Sequence, residues 1–151
     1  MTDRREAERE IEEIVHRETR AWDTRDLDLL MSVFHPDMVW PWPPTPRDHD
    51  PADWVLEWGR YDDRRWRAGW QRLFDTHELA WNRREIRKIE LSAELDGAFA
   101  VVDIDTCWRG AEGDFRWQGR TCKIYTLLAP GPDGRREWKM TCQVGVLDYG
   151  P

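Results

Sequence analysis

A carboxylate at an apolar position is the first candidate for chemistry in this sequence. Glu18 shares the stripe formed by Ile14, Val15 and Trp22 on a predicted N-terminal helix, so its side chain points toward the core. Burying an unpaired carboxylate costs on the order of several kcal/mol or raises its pKa, which would suit a general acid. Two interpretations stay open: Glu18 is functional, or it is paired with an arginine of the predicted strands. The available arginines are Arg83, Arg84, Arg87, Arg116 and Arg120.

Asp103 and Asp105 lie two residues apart and therefore project from the same face of one predicted strand. If that face is buried, the two carboxylates disfavour joint ionisation, and one of them has a raised pKa suited to acid catalysis. If it is the outer face, both are ordinary surface carboxylates. The pattern leaves both interpretations open, because Val102, Ile104 and Trp108 make the opposite face apolar too.

His77 stands at a predicted junction between a helix and a strand, where an imidazole is either a general base near neutral pH or a structural residue. Asp23 stands at the C-terminal end of the first predicted helix, where the helix dipole disfavours a negative charge. Its alternative role is a turn residue that caps the next helix, which Thr24 and Asp26 could do as well.

The composition excludes several classes of partner. The chain has 151 residues, with 23 Lys and Arg against 30 Asp and Glu, a net charge of −7. Nucleic acid and anionic membranes require a positively charged face, so neither is an expected partner. No apolar stretch approaches the roughly 18 residues of a membrane span, and the N-terminus is charged where a secretory signal is apolar. The sequence predicts one soluble, cytoplasmic domain.

Metal and redox chemistry have weak support in the sequence. The three cysteines are odd in number and lack CxxC spacing, so reduced thiols are expected. Asp48-His49-Asp50 groups three ligand-type residues, but adjacent residues rarely converge on one ion, and a loop turn is the preferred interpretation. The sequence predicts no metal and no cofactor.

Tryptophan is the most unusual feature of the composition, with 11 residues in 151. This is more than a small domain needs to fill its core, which raises the question of what the indoles surround.

Hydrophobic periodicity predicts helices at residues 6–22, 27–34 and 63–76. Pro36 is expected to end the second of these helices. Four prolines between positions 41 and 46 exclude regular structure there. Residues 51–59, with Asp50 as N-cap, are predicted to form a lid helix.

The second half of the chain changes to the period of strands. Strands are predicted at residues 38–40, 79–95, 99–108, 115–128 and 138–149. Helices followed by a run of antiparallel strands indicate the α+β class. The expected architecture is three or four N-terminal helices packed on one face of a curved antiparallel sheet, which has about four long strands and a short one.

Five segments carry a resemblance to a known family: AWDTRDLDLLMSVFHPDMVW, THELAWN, DGAFAVV, GRTCKIYTLL and DGRREWKMTCQVG. Together they resemble the SnoaL-like branch of the nuclear transport factor 2-like superfamily, which has the cystatin-like fold. The resemblance implies a single domain over 1–151 with an insertion at about 44–60. It further implies a cone-shaped sheet around an internal cavity, and a homodimer formed through the sheet. In such a cone the abundant aromatic residues are expected to line the cavity for an apolar ligand. The expected lining residues are Trp22, Trp40, Trp42, Trp54, Trp58, Trp70, Phe74 and Tyr125.

In motif placement the chain is most similar to scytalone dehydratases and bile-acid dehydratases. These proteins place an acidic residue at the end of the first helix and a histidine at the start of the first long strand, which are the positions of Asp23 and His77. The resemblance implies that Asp23 orients His77 as a general base. Glu18, or the pair Asp103 and Asp105, would then act as acid or polarising group.

Steroid isomerases of the same superfamily carry their catalytic base in the short strand after the second helix. Trp42 occupies that position in this chain, and an indole cannot abstract a proton. Steroid isomerisation is therefore disfavoured.

The expected function is binding of a small, largely apolar, cyclic or aromatic molecule, with cofactor-independent dehydration or isomerisation as its chemistry. The alternative is a non-catalytic ligand-binding or dimerisation module in which arginines pair the acidic groups. The expected partners are a small molecule and a second copy of the chain.

Overall fold

A computed structural model describes residues 3–48 and 50–145. Helix α1, Arg4–Thr24, begins at Asp3, whose carboxylate accepts a hydrogen bond from the Glu6 amide at 2.8 Å. The helix ends where Arg25 adopts a left-handed conformation with φ of 52°. Its buried stripe follows the predicted period and includes Glu18. No helix among the described residues is long and apolar enough to cross a membrane.

Helix α2, Leu27–Met31, is shorter than predicted. Asp26 caps it by accepting a hydrogen bond from the Leu29 amide at 3.0 Å. Strand β1, Phe34–Val39, then begins inside the residues expected to be helical, and it contains Pro36. Proline is tolerated there because β1 is the edge strand of the sheet and needs fewer backbone hydrogen bonds.

The prediction of a lid helix at residues 51–59 is wrong. Only Pro51–Asp53 forms a single 3₁₀ turn, which Asp50 caps as expected. The chain then becomes extended, and Val55 exchanges two backbone hydrogen bonds with Trp42, at 2.9 and 3.1 Å. This antiparallel bridge gives the backbone partners that a helix would otherwise supply, and it holds the segment against the proline-rich stretch.

Helix α3, Asp63–Thr76, has the predicted bounds. Asp62 caps its first turn by accepting a hydrogen bond from the Arg65 amide at 2.8 Å. His77 is extended, with φ of −134°, so it ends the helix and begins the next strand.

The sheet has five strands in the order β1-β5-β4-β3-β2, and β1 is parallel to β5 while the other pairs are antiparallel. The remaining bounds are β2, His77–Leu91; β3, Gly97–Gly110; β4, Gly113–Leu128; and β5, Glu137–Gln143. The α+β architecture with four main antiparallel strands and one short strand is confirmed. Strand β5 ends earlier than the predicted residue 149, and positions 146–151 lie outside the described residues.

The two faces of β3 differ in burial, which settles a choice the sequence left open. The side chains at even positions from Ala98 to Trp108 are buried under the helices. Phe99, on the opposite face, is 53% exposed. Asp103 and Asp105 therefore lie on the outer face of the sheet, away from the core.

Candidate functional site

A cavity of about 280 Å³ lies between the helices and the inner face of the sheet. We call it the tryptophan cavity, because seven indoles contribute to its wall. Its lining comprises Trp22, Trp40, Trp42, Pro43, Trp58, Gly69, Trp70, Leu73, Arg84, Ile104, Thr106, Trp108, Phe115, Trp117, Gln143 and Gly145.

The indoles of the wall pack against one another edge to face. Trp22 lies at the centre, with its ring centroid 4.9 Å from that of Trp70 and 6.3 Å from that of Trp108. Trp58 contacts two members of the same group: its ring centroid lies 4.6 Å from that of Trp70 and 5.2 Å from that of Trp42. Such T-shaped contacts are the favoured geometry of aromatic pairs. The wall is therefore built from interlocked rings rather than from independent side chains.

Five of the eight expected lining residues do line the tryptophan cavity: Trp22, Trp40, Trp42, Trp58 and Trp70. The other three lie outside its lining. Phe74 stacks on Trp108 in the core, and Tyr125 is fully buried elsewhere in it. Trp54 packs next to Gly145, where a Cβ atom would come within 3.1 Å of its ring.

The sequence interpretation missed the polar residues of the lining, above all Arg84, Thr106 and Gln143. Thr106 follows Ile104 by two residues on β3, so the alternation of that strand would have identified it once its inner face was known. Arg84 and Gln143 have no such signal, because arginine and glutamine are normally exposed.

Glu18 is paired, which is one of the two interpretations left open by its sequence position. Its carboxylate is 1% exposed and accepts hydrogen bonds from Lys123 at 2.7 Å and from Arg84 at 3.0 Å. The Trp22 indole donates a third, at 2.9 Å. Burial by itself raises the pKa of Glu18, but Lys123 and Arg84 outweigh it and hold the pKa at about 2. Glu18 is thus ionised at neutral pH and does not suit the role of a general acid.

The ion pairs extend into a buried polar network beneath the cavity. Lys123 also donates to Gln143 at 3.0 Å, and burial lowers its pKa to about 8, which leaves it largely protonated at pH 7. Arg84 donates through Nε to Asn82 at 2.9 Å, and Thr106 donates to the same oxygen at 2.7 Å. The cavity therefore has aromatic sides and a charged, hydrogen-bonded floor.

The Glu18 carboxylate predicts a specific loss of stability in acid. Its pKa falls from 4.5 to about 2 on folding, so its contribution is present above about pH 4.5 and is lost as the pH falls through 2. At 1.36 kcal/mol per pKa unit, we expect the ionised Glu18 to contribute about 3 kcal/mol to the free energy of unfolding. Urea unfolding at a series of pH values measures this contribution. The variant Glu18→Gln lacks this contribution, and a constant difference between the two proteins from pH 5 to pH 2.5 would contradict the prediction.

The proposed dyad of His77 and Asp23 is not formed in the structure. The imidazole Nδ1 of His77 lies 2.8 Å from the hydroxyl of Thr76, and its ring packs edge-on against Phe115. Asp23 accepts a hydrogen bond from Asn82 at 2.9 Å. Asn82 is five residues beyond His77 on β2, which corresponds to about 16 Å along a strand. Asp23 therefore contacts β2 well beyond its first residue, His77.

Asp103 and Asp105 are not a catalytic pair with a raised pKa. Arg120 binds Asp103 at 2.6 Å, and Arg116 binds Asp105 at 2.8 Å. Hydrogen bonds from Arg120 and Arg116, respectively, lower the pKa of the two carboxyls. Trp81 adds a hydrogen bond to Asp105 at 2.9 Å. These carboxylates form an ion-pair ladder on the outer face of the sheet.

The tryptophan cavity can bind, but it offers few groups for proton transfer. Among the lining residues that the structure describes, none is a carboxylate or an imidazole. Within residues 3–48 and 50–145, no cluster of three or more ligand-type side chains is placed to hold a metal ion. Asp50 caps a turn, Asp48 accepts from Thr45 at 2.6 Å, and His49 lies outside the described residues.

Comparison with known proteins identifies the fold. No family model matches the sequence, and no curated protein matches it either. Many solved structures do match. A nuclear transport factor 2-like protein of unknown function in nutrient uptake from Rhodospirillum rubrum has a TM-score of 0.64 at 17% identity, over 91% of this chain and 98% of that chain.

Two further neighbours are described by enzyme names. A ketosteroid isomerase-like protein from Erwinia carotovora atroseptica has a TM-score of 0.59 at 14% identity, covering 94% of this chain and 95% of that one. A proposed scytalone dehydratase from Novosphingobium aromaticivorans has a TM-score of 0.61 at 11% identity, covering 95% of this chain and 93% of that one. The chain therefore has the nuclear transport factor 2-like fold, as its resemblance predicted. Because one fold hosts many functions, its function must be argued from the cavity.

Proposed function

We propose that this chain, a nuclear transport factor 2-like fold, binds one small aromatic or alicyclic molecule in the tryptophan cavity. The observation that carries the proposal is the cavity itself, which Trp22 and Trp42 line without filling. A dry apolar cavity of about 150 Å³ is enough to bind benzene. The 280 Å³ found here suits a ligand of one or two rings.

The state of the expected acid–base groups favours binding without turnover. Glu18 is held ionised by Lys123 and Arg84, and His77 and Asp23 are separated. Turnover by the dehydratase scheme would need an imidazole and a carboxylate at hydrogen-bond distance from one substrate. The enzyme names of the two neighbours belong to those proteins, and residues of this chain do not reproduce the scheme expected from them.

Filling the cavity is expected to abolish binding, which provides the test. The probe 1-aminonaphthalene has two rings and is neutral at pH 7, and it should bind the wild-type protein with increased emission. Ile104→Trp, on the inner face of β3, should weaken this binding at least tenfold because the larger ring takes the ligand's space. Val101→Trp is the matched control, since Val101 lies on the same strand but on its outer face.

Two results would contradict the proposal. One is absence of saturable probe binding to the folded wild-type protein. The other is equal loss of binding in Ile104→Trp and Val101→Trp, which would show that the probe does not occupy the inner face. Far-ultraviolet circular dichroism and thermal unfolding of each variant confirm that the compared proteins are folded.

A further inference from the structure

The donors on the floor of the tryptophan cavity exceed the acceptors. We infer that the natural ligand is an aromatic or alicyclic carboxylate, whose carboxylate group lies against Arg84 while its ring lies among the indoles. The inference rests on the proposed function and adds to it the charge and orientation of the ligand.

Arg84 is the central observation. Its side chain is 9% exposed and belongs to the cavity lining. Nη1 donates to Glu18 at 3.0 Å and Nε donates to Asn82 at 2.9 Å, whereas Nη2 has no hydrogen-bond partner among the described residues. The guanidinium carbon lies 5.9 Å from the ring centre of Trp22. The cation is thus fixed by three neighbours and still has donor capacity.

One more lining residue, Gln143, presents a donor without an acceptor. Gln143 accepts from Lys123 through Oε1, and because an ammonium group only donates, this contact fixes the orientation of the amide. The Nε2 group of Gln143 then remains without a partner among the described residues. Such donors are complementary to a group that only accepts hydrogen bonds, as a carboxylate does.

The charge of the floor points to the same class of ligand. Lys123 and Arg84 supply two positive charges, and Glu18 supplies one negative charge, which leaves a net charge of +1 for this buried cluster. Asp23 reaches the cluster only through Asn82, from an exposed position where solvent screens its charge. A buried excess charge is costly unless it is paired, so an anionic ligand would compensate what the protein leaves uncompensated.

The test compares two ligands that differ in charge but hardly in shape. Displacement of 1-aminonaphthalene at pH 7 gives the affinities of 2-naphthoate and of 2-naphthamide. We expect 2-naphthoate to bind about 10- to 100-fold more tightly, the range expected for hydrogen bonds to a charged group. In Arg84→Gln the ratio of the two affinities should fall to about one, because the charge that distinguishes the carboxylate from the amide is gone. The Glu18 and Lys123 pair remains neutral in that variant, which favours its folding.

Arg83→Gln is the matched control, because Arg83 is the adjacent arginine but is exposed and pairs with Asp105 on the outer face. It should retain the preference for 2-naphthoate. Equal affinities of the two ligands for the wild-type protein would overturn the inference and leave the proposed function standing. Failure of the neutral probe to bind would remove both. If Arg84→Gln does not fold, the comparison of 2-naphthoate with 2-naphthamide on the wild-type protein decides.

Discussion

Replacing Glu18 by glutamine is expected to lower the free energy of unfolding by about 3–5 kcal/mol, the effect of removing one partner from a buried ion pair. The new amide has nearly the same shape, so packing changes little. Lys123, which is fully buried, and Arg84 would then both lack a counter-charge. Urea unfolding followed by circular dichroism measures the loss. Since domains are typically stable by about 5–15 kcal/mol, it would remove a large share of the total.

Glu13→Gln is the matched control on the same helix. Glu13 pairs with Arg17 and Arg20 at the surface, where such pairs contribute at most about 1 kcal/mol. A second variant tests the reason given for the large effect. Combining Glu18→Leu with Lys123→Met removes both buried charges of the closest pair, and it should cost less than Glu18→Gln alone. A loss below about 1 kcal/mol in Glu18→Gln would contradict the prediction.

Trp22→Ala is expected to destabilise the protein by about 3–5 kcal/mol, as large-to-small changes of buried aromatic residues do. Trp22 is 4% exposed, and its ring contacts those of Trp40, Trp70, Phe74 and Trp108. The change would also remove the indole hydrogen bond to Glu18. Thermal and urea unfolding should both report the loss.

Trp81→Ala provides the comparison for an indole outside the core. Trp81 lies on the outer face of the sheet, where it bonds to Asp105 and contacts the guanidinium groups of Arg83 and Arg116. Exposed cation–π contacts contribute only about 0.5–1 kcal/mol. We expect Trp81→Ala to lower the free energy of unfolding clearly less than Trp22→Ala does. Equal losses would mean that the indoles around Trp22 are not the centre of the core.

Local signals predicted the elements where they were strong and failed where partners along the chain were needed. The apolar period of α1 and α3 gave their positions, and Asp50 was correctly identified as a cap. The lid helix failed because the backbone pairing of Trp42 with Val55 competes with helix formation. The end of α2 was misplaced because β1 finds its hydrogen bonds on β5, more than 100 residues later.

The sequence by itself determined the α+β class, the aromatic character of the interior and the presence of a carboxylate in the core. These follow from periodicity and residue type, which are local properties. Only the tertiary structure decided which face of β3 is buried, because a period of two has the same form on either face. It alone decided that Glu18 pairs with Lys123, 105 positions away, and that His77 is separated from Asp23. Pair contacts of this kind depend on strand register and sheet curvature, and no spacing along the chain encodes them directly.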